Sequence, residues 1–204
     1  MRRLLFLSGM LSSLVFISAD LISATSWKGY SYCSQVISEL MAINAVPRPV
    51  AVPLFVIYDI LVLTFGSSLL IFTTERRLRL AGGFIIGAGI TSLITTLFFP
   101  MHLRTEAATI SDTIHIIFTG VTTVLMLLAI VAAAAVYGKR FRYYSIFTIM
   151  ILLIFGALAG LDVPRIADGQ PTPWLGLTER VTIGAYVLWV AVLSIRLSRF
   201  STSG

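Results

Sequence analysis

Six apolar runs, each about the length needed to cross a bilayer, constrain this chain more than any other feature. They cover Leu4–Ala24, Val50–Thr73, Leu80–Phe99, Asp112–Tyr137, Ser145–Val163 and Leu177–Leu197. A membrane helix needs about 20 predominantly apolar residues. The 204 residues are 57% hydrophobic and only 12% charged, too few charges to cover a water-soluble surface. The sequence predicts an all-α fold: one integral membrane domain over 1–204, a bundle of six transmembrane helices. The first run, behind Arg2 and Arg3, has the look of a secretory signal. Its apolar stretch continues through Leu21 and Ile22 to Ala24, so an uncleaved helix is expected.

The charges orient the bundle. The N-terminus, 75–79, 138–142 and the C-terminal end hold Arg2, Arg3, Arg76, Arg77, Arg79, Lys139, Arg140, Arg142, Arg196 and Arg199 against one acid, Glu75. The remaining connections hold Lys28, Arg48, Arg104, Arg165 and Arg180 against the other eight acids. The first set marks the cytoplasmic side, which places both termini inside a multi-pass cell-membrane protein. The net charge of +6 is therefore a topology signal, and no basic, aromatic-interleaved surface suggests nucleic acid as a partner. Cys33 is the only cysteine, which excludes an intrachain disulfide.

The outer connections are the longer ones. Within the first, 34–44 reads as a short extracytoplasmic amphipathic helix. Val36, Ile37, Leu40 and Met41 lie on one face, and Gln35, Ser38 and Glu39 on the other. It is expected at the interface or folded back over the bundle. Pro47, Pro49 and Pro53 end it and start the second span. Glycines at 82, 83, 87 and 89 and at 156 and 160 have the spacing of close helix packing.

Charged residues within a span usually face a bundle interior or an aqueous cavity. Asp59 sits well inside the second run, where a carboxyl needs a partner or a proton. Asp112 and His115, three apart, share a face that Thr119 and Thr122 continue inward. Asp162 and Arg165 close the fifth run, while Glu179 and Arg180 open the sixth. Several spans thus carry polar stripes that start on the outer side.

Three readings follow. Structurally, Asp162, Arg165, Glu179 and Arg180 pair to tie helix ends together, and Asp112 caps a helix. Chemically, Asp112 orients His115 as a general base, or the pair instead joins His102, Glu39 or Asp59 as ligands for a hard or borderline metal such as Zn²⁺. No strong metal spacing is present, bis-His haem would need His102 and His115, and no cofactor is assigned. For transport, Asp59 carries protons or binds a cationic solute.

Gly29-Tyr30-Ser31, Ile37-Ser38-Glu39-Leu40, Asp112-Thr113-Ile114-His115, Phe155-Gly156-Ala157-Leu158, Leu161-Asp162-Val163-Pro164-Arg165, Pro171-Thr172-Pro173-Trp174 and Glu179-Arg180 run from the first outer loop to the last span. In these stretches the chain resembles the prokaryotic membrane family catalogued as domain of unknown function 998. The resemblance implies a six-helix membrane protein and carries no established reaction. Its motifs fall on Glu39, Asp112, His115, Asp162, Arg165, Glu179 and Arg180, and Asp59 lies outside them.

The leading expectation is an outward-facing polar pocket that binds, and hydrolyses or modifies, a lipid or other amphiphile. In it, Asp112 and His115 act as the catalytic pair. Glu39, Asp59, His102, Asp162 and Glu179 bind, and Arg165 and Arg180 contact an anionic group. The alternatives are a transporter of protons or small solutes and a non-enzymatic envelope accessory protein. The expected partners are membrane lipid and an amphiphilic ligand, with an oligomer allowed by the small size.

Overall fold

A computed structural model describes residues 2–104, 106–107, 109–167 and 170–200, and they contain no strand. Six helices are long and apolar enough to cross a membrane. They are α1 (Arg2–Thr25), α2 (Arg48–Phe72), α3 (Arg76–Phe98), α4 (Ile110–Ala133), α5 (Gly138–Ala167) and α6 (Leu175–Phe200). Each contains one of the predicted apolar runs almost entirely. In lipid the backbone must satisfy its own hydrogen bonds, so an apolar run of this length forms a helix regardless of its neighbours.

Around the bundle the helices follow the order α4, α3, α2, α1, α6, α5. The junction between α4 and α5 is thin, although those two are consecutive. The buried side chains of α5, Phe141, Ser145, Thr148 and Leu152, all lie in its first half. Its second half, leading to Asp162, contributes no buried side chain among the described residues. The helix also runs one turn beyond Pro164, past the expected end at Val163.

The start of α1 and the end of α6 share one face of the bundle. There the Ser194 hydroxyl donates to the Phe6 carbonyl at 2.6 Å and accepts from the Met10 amide at 3.0 Å. Deeper along the same pair, the Ser13 hydroxyl donates to the Val187 carbonyl at 2.8 Å. Such hydroxyls hold helices together where lipid supplies no hydrophobic drive. At the α2–α3 crossing, Gly66 and Gly82 let the backbones meet. A Cβ on Gly82 would stand 2.8 Å from the Gly66 carbonyl oxygen and 2.8 Å from the Leu69 Cβ.

The opposite face carries the long connections. Segment 34–44 folds back over the bundle, and its helical part is a 3-10 turn, Ile37–Met41, shorter than the amphipathic helix expected. The reason is local. The Glu39 carboxylate accepts the Val36 amide at 3.0 Å, and the Ala42 amide closes on the Glu39 carbonyl three residues back. Ile37 and Leu40 are buried in the core. The turn therefore plugs the bundle mouth among α1, α2 and α6.

Two outcomes test this arrangement. Gly82→Leu should lower thermal stability in detergent by about 1–3 kcal/mol through overpacking. Gly83→Leu, one residue on, has open space around its Cβ and should leave stability unchanged. For orientation, the exposed Cys33 lies on the long-loop face. Positive-inside orientation predicts that a membrane-impermeant maleimide labels it in intact cells, and labelling only after lysis would invert the topology.

Candidate functional site

The long-loop face is built around two arginines. Arg180, in the second turn of α6, holds Asp20 of α1 in a two-pronged ion pair at 3.0 and 2.9 Å. It also donates to the Tyr30 hydroxyl at 2.6 Å and to the carbonyls of Tyr32, Gln35 and Gly176 at 2.9, 2.9 and 3.1 Å. Its guanidinium lies 4.1 Å from the Tyr32 ring centroid. These contacts satisfy the planar fork of donors, so the charge can stay with its side chain only 13% exposed. Gly176 makes this possible, because a Cβ there would collide with the Tyr32 and Gln35 carbonyl oxygens. Burial pushes the Tyr30 hydroxyl well above the usual phenol range despite the adjacent guanidinium. Tyr30 therefore remains a neutral donor, and the Val36 carbonyl accepts its proton at 2.9 Å.

The second arginine, Arg104, was counted in the sequence only among the outer positive charges. It pairs with Glu39 at 2.9 and 2.6 Å and donates to the Thr172 hydroxyl at 2.6 Å and the Ser34 carbonyl at 2.7 Å. One side chain thus pins all three outer connections. Glu179 accepts the Ile37 amide at 2.6 Å, anchoring the 3-10 turn to α6.

Asp112 and His115 stand apart from this group, against the end of α3. Asp112 accepts the Thr109 amide at 2.7 Å and its hydroxyl at 2.8 Å, which caps α4. It also accepts the His102 amide at 2.7 Å and faces the His102 Nδ1 at 3.0 Å. Asp112 therefore orients His102, not His115 as the sequence suggested. His115 places Nδ1 2.8 Å from the Phe99 carbonyl oxygen, so Nδ1 carries the proton. Deeper along α4, the Thr122 hydroxyl meets that of Thr91 on α3 at 2.7 Å.

Asp162 pairs with Arg165 at 2.9 Å on the exposed end of α5, where the Arg165 side chain is 56% exposed. The expected site residues thus divide. Glu39, Glu179 and Arg180 join in one network, His102 and Asp112 form a second beside His115, which bonds only the Phe99 carbonyl, and Asp162 and Arg165 form a local pair. Segment 101–104 links the first two, and the Ile43 amide donates to the Met101 carbonyl at 2.8 Å. Among the described residues no three His, Cys, Asp or Glu side chains gather as a metal site.

Asp59 is different in kind. It lies 11 residues into the 25-residue α2, about 16 Å along the axis at 1.5 Å per residue. That is the middle of the span, deeper than the sequence boundaries implied. It has no exposed surface, and neither carboxyl oxygen has a hydrogen-bond partner among the described residues. Ser92 of α3 faces it as the nearest hydroxyl, without forming a well-aligned hydrogen bond, and Tyr58 lies within electrostatic reach of both Asp59 and Tyr186 of α6. The Tyr186 hydroxyl is itself buried and unpartnered.

A family profile described as "Protein of unknown function (DUF998)" matches residues 10–196. The chain belongs to this family. No curated protein and no solved structure matches it significantly. In this DUF998 chain, the matched region contains both polar networks and Asp59.

The two kinds of acid should respond oppositely to substitution. Arg180→Gln strands the Asp20 carboxylate in a buried position and should cost about 3–5 kcal/mol. Adding Asp20→Asn should recover part of that loss. Asp59→Leu breaks no pair and should leave the melting temperature unchanged or raise it.

Proposed function

We propose that this membrane protein carries protons through its bundle, with Asp59 as the carrier. The supporting observation is the isolation of Asp59. Among the described acids of the long-loop half and the bundle interior, every other carboxylate has an ion pair or a well-formed hydrogen bond, whereas Asp59 has neither and is faced only by the Ser92 hydroxyl. A carboxyl at mid-membrane with no counter-charge must hold a proton or a cation. The Ser92 hydroxyl of α3 faces the Asp59 carboxyl and can donate to the carboxylate after the proton leaves. A carrier needs both states to be tolerated, and this hydroxyl supports the second. The driving force is adequate, since 100 mV acts on one elementary charge with about 2.3 kcal/mol.

The pocket expected at the long-loop face finds less support, because its charged side chains are engaged with one another. One observation favours a chemical reading there. With Nδ1 of His115 committed to the Phe99 carbonyl, its Nε2 keeps a free lone pair, with no hydrogen-bond partner among the described residues. An amphiphile-modifying activity would be built on that nitrogen, with Phe99 as the orienting group.

Liposomes loaded with a pH-sensitive dye and driven by a potassium diffusion potential separate the two readings. Wild-type protein should raise proton flux at least about tenfold over empty liposomes, the effect expected of a specific carrier. Asp59→Asn should return flux to the empty baseline, Asp59→Glu should retain part of it, and His115→Ala should leave it intact. Wild-type flux at baseline, or full flux in Asp59→Asn, rejects the proposal.

A further inference from the structure

The face carrying the termini holds a second feature, independent of Asp59. Where α2 ends and α3 begins, a groove of about 690 Å³ opens on the lipid-facing side. Arg76 and Arg79 stand at its membrane-surface end, one turn apart on α3. Leu70, Leu80, Gly83 and Phe84 line it toward the bilayer interior. Both arginines are exposed, and neither side chain has an ion pair or hydrogen bond with any described residue. The neighbouring Glu75 pairs with neither and does not line the groove. Their charge is thus uncommitted, in contrast to Arg104 and Arg180 on the other face.

We propose that this groove binds an anionic phospholipid of the surrounding bilayer. Three features carry the assignment. Two unpaired guanidiniums one turn apart match a phosphodiester, which arginine engages through parallel N–H···O bonds. The first turn of α3 adds the positive end of its helix dipole. Below the arginines the lining is apolar, and Gly83 exposes bare backbone along which an acyl chain can lie. A Cβ at Gly83 would meet nothing within 4 Å, so that space belongs to no part of the protein. The choice of an anionic over a zwitterionic headgroup follows from charge. No acid lines the groove to receive a headgroup ammonium, whereas both cations favour net negative charge.

The test uses the full chain in neutral detergent, offered phosphatidylglycerol and phosphatidylcholine at equal concentration. Bound lipid is read by native mass spectrometry. Wild type should retain phosphatidylglycerol about tenfold over phosphatidylcholine, and inorganic phosphate at millimolar concentration should not displace it. Arg76→Gln/Arg79→Gln should reduce the preference to about threefold or less. Gly83→Leu should do the same with every charge in place and its melting temperature unchanged. Arg77→Gln, outside the groove, should keep the preference. An absence of preference in wild type would overturn the proposal. So would retained preference in Gly83→Leu, or a loss in Arg77→Gln equal to that in the double variant, because each would reduce the effect to diffuse surface charge.

Discussion

The Arg180 guanidinium is the interaction on which the long-loop face depends. Its donors reach α1 through Asp20, the first loop through Tyr30, Tyr32 and Gln35, and its own helix through Gly176. In lipid a backbone carbonyl outside a helix has no water to turn to, so loops at this depth must find donors within the protein. Arg180 supplies several from one rigid plane. Lysine, a point charge on a flexible stem, would not reproduce that fork. The 3-10 turn, the mouth of the bundle and the position of Glu179 all rest on the loop it holds.

Against that saturated network, Asp59 stands out by contrast. A polar cluster whose every member is satisfied rigidifies a structure, whereas a buried group left without partners destabilises it and persists for another reason. The chain thus divides its charged residues by depth. Those at the long-loop face hold structure together, the one at mid-span has no ion pair, and Arg76 and Arg79 at the other face are exposed and unpaired among the described residues.

How far the sequence disclosed this depended on the range of each interaction. The spans were legible because twenty consecutive apolar residues carry their own partition free energy. The charged end of α5 and a capping role for Asp112 were legible because they are local, but Asp162 and Arg165 pair with each other instead of tying helix ends together, and Asp112 acts at N3, with Thr109 as the N-cap. Arg104 was not singled out, since its partner Glu39 is 65 residues away and no local pattern joins them. The partner of His115 was misassigned for the same reason. Asp112 is one turn away on the same face, yet the Phe99 carbonyl, brought in from α3, takes Nδ1. The segment 34–44 was read as a longer amphipathic helix because its apolar spacing fits one. The back-bond from Glu39 and burial over the bundle mouth tightened it.

The sequence by itself determined six membrane-spanning helices and a strong charge asymmetry between the faces, because partition into lipid and the distribution of Lys and Arg are properties of contiguous composition. Only the tertiary structure decided the order of helices around the bundle, the pairing of Arg180 with Asp20 and of Arg104 with Glu39, and the isolation of Asp59. Those depend on which distant side chains packing brings within about 3 Å of each other, and a carboxyl is paired or unpaired only in relation to them.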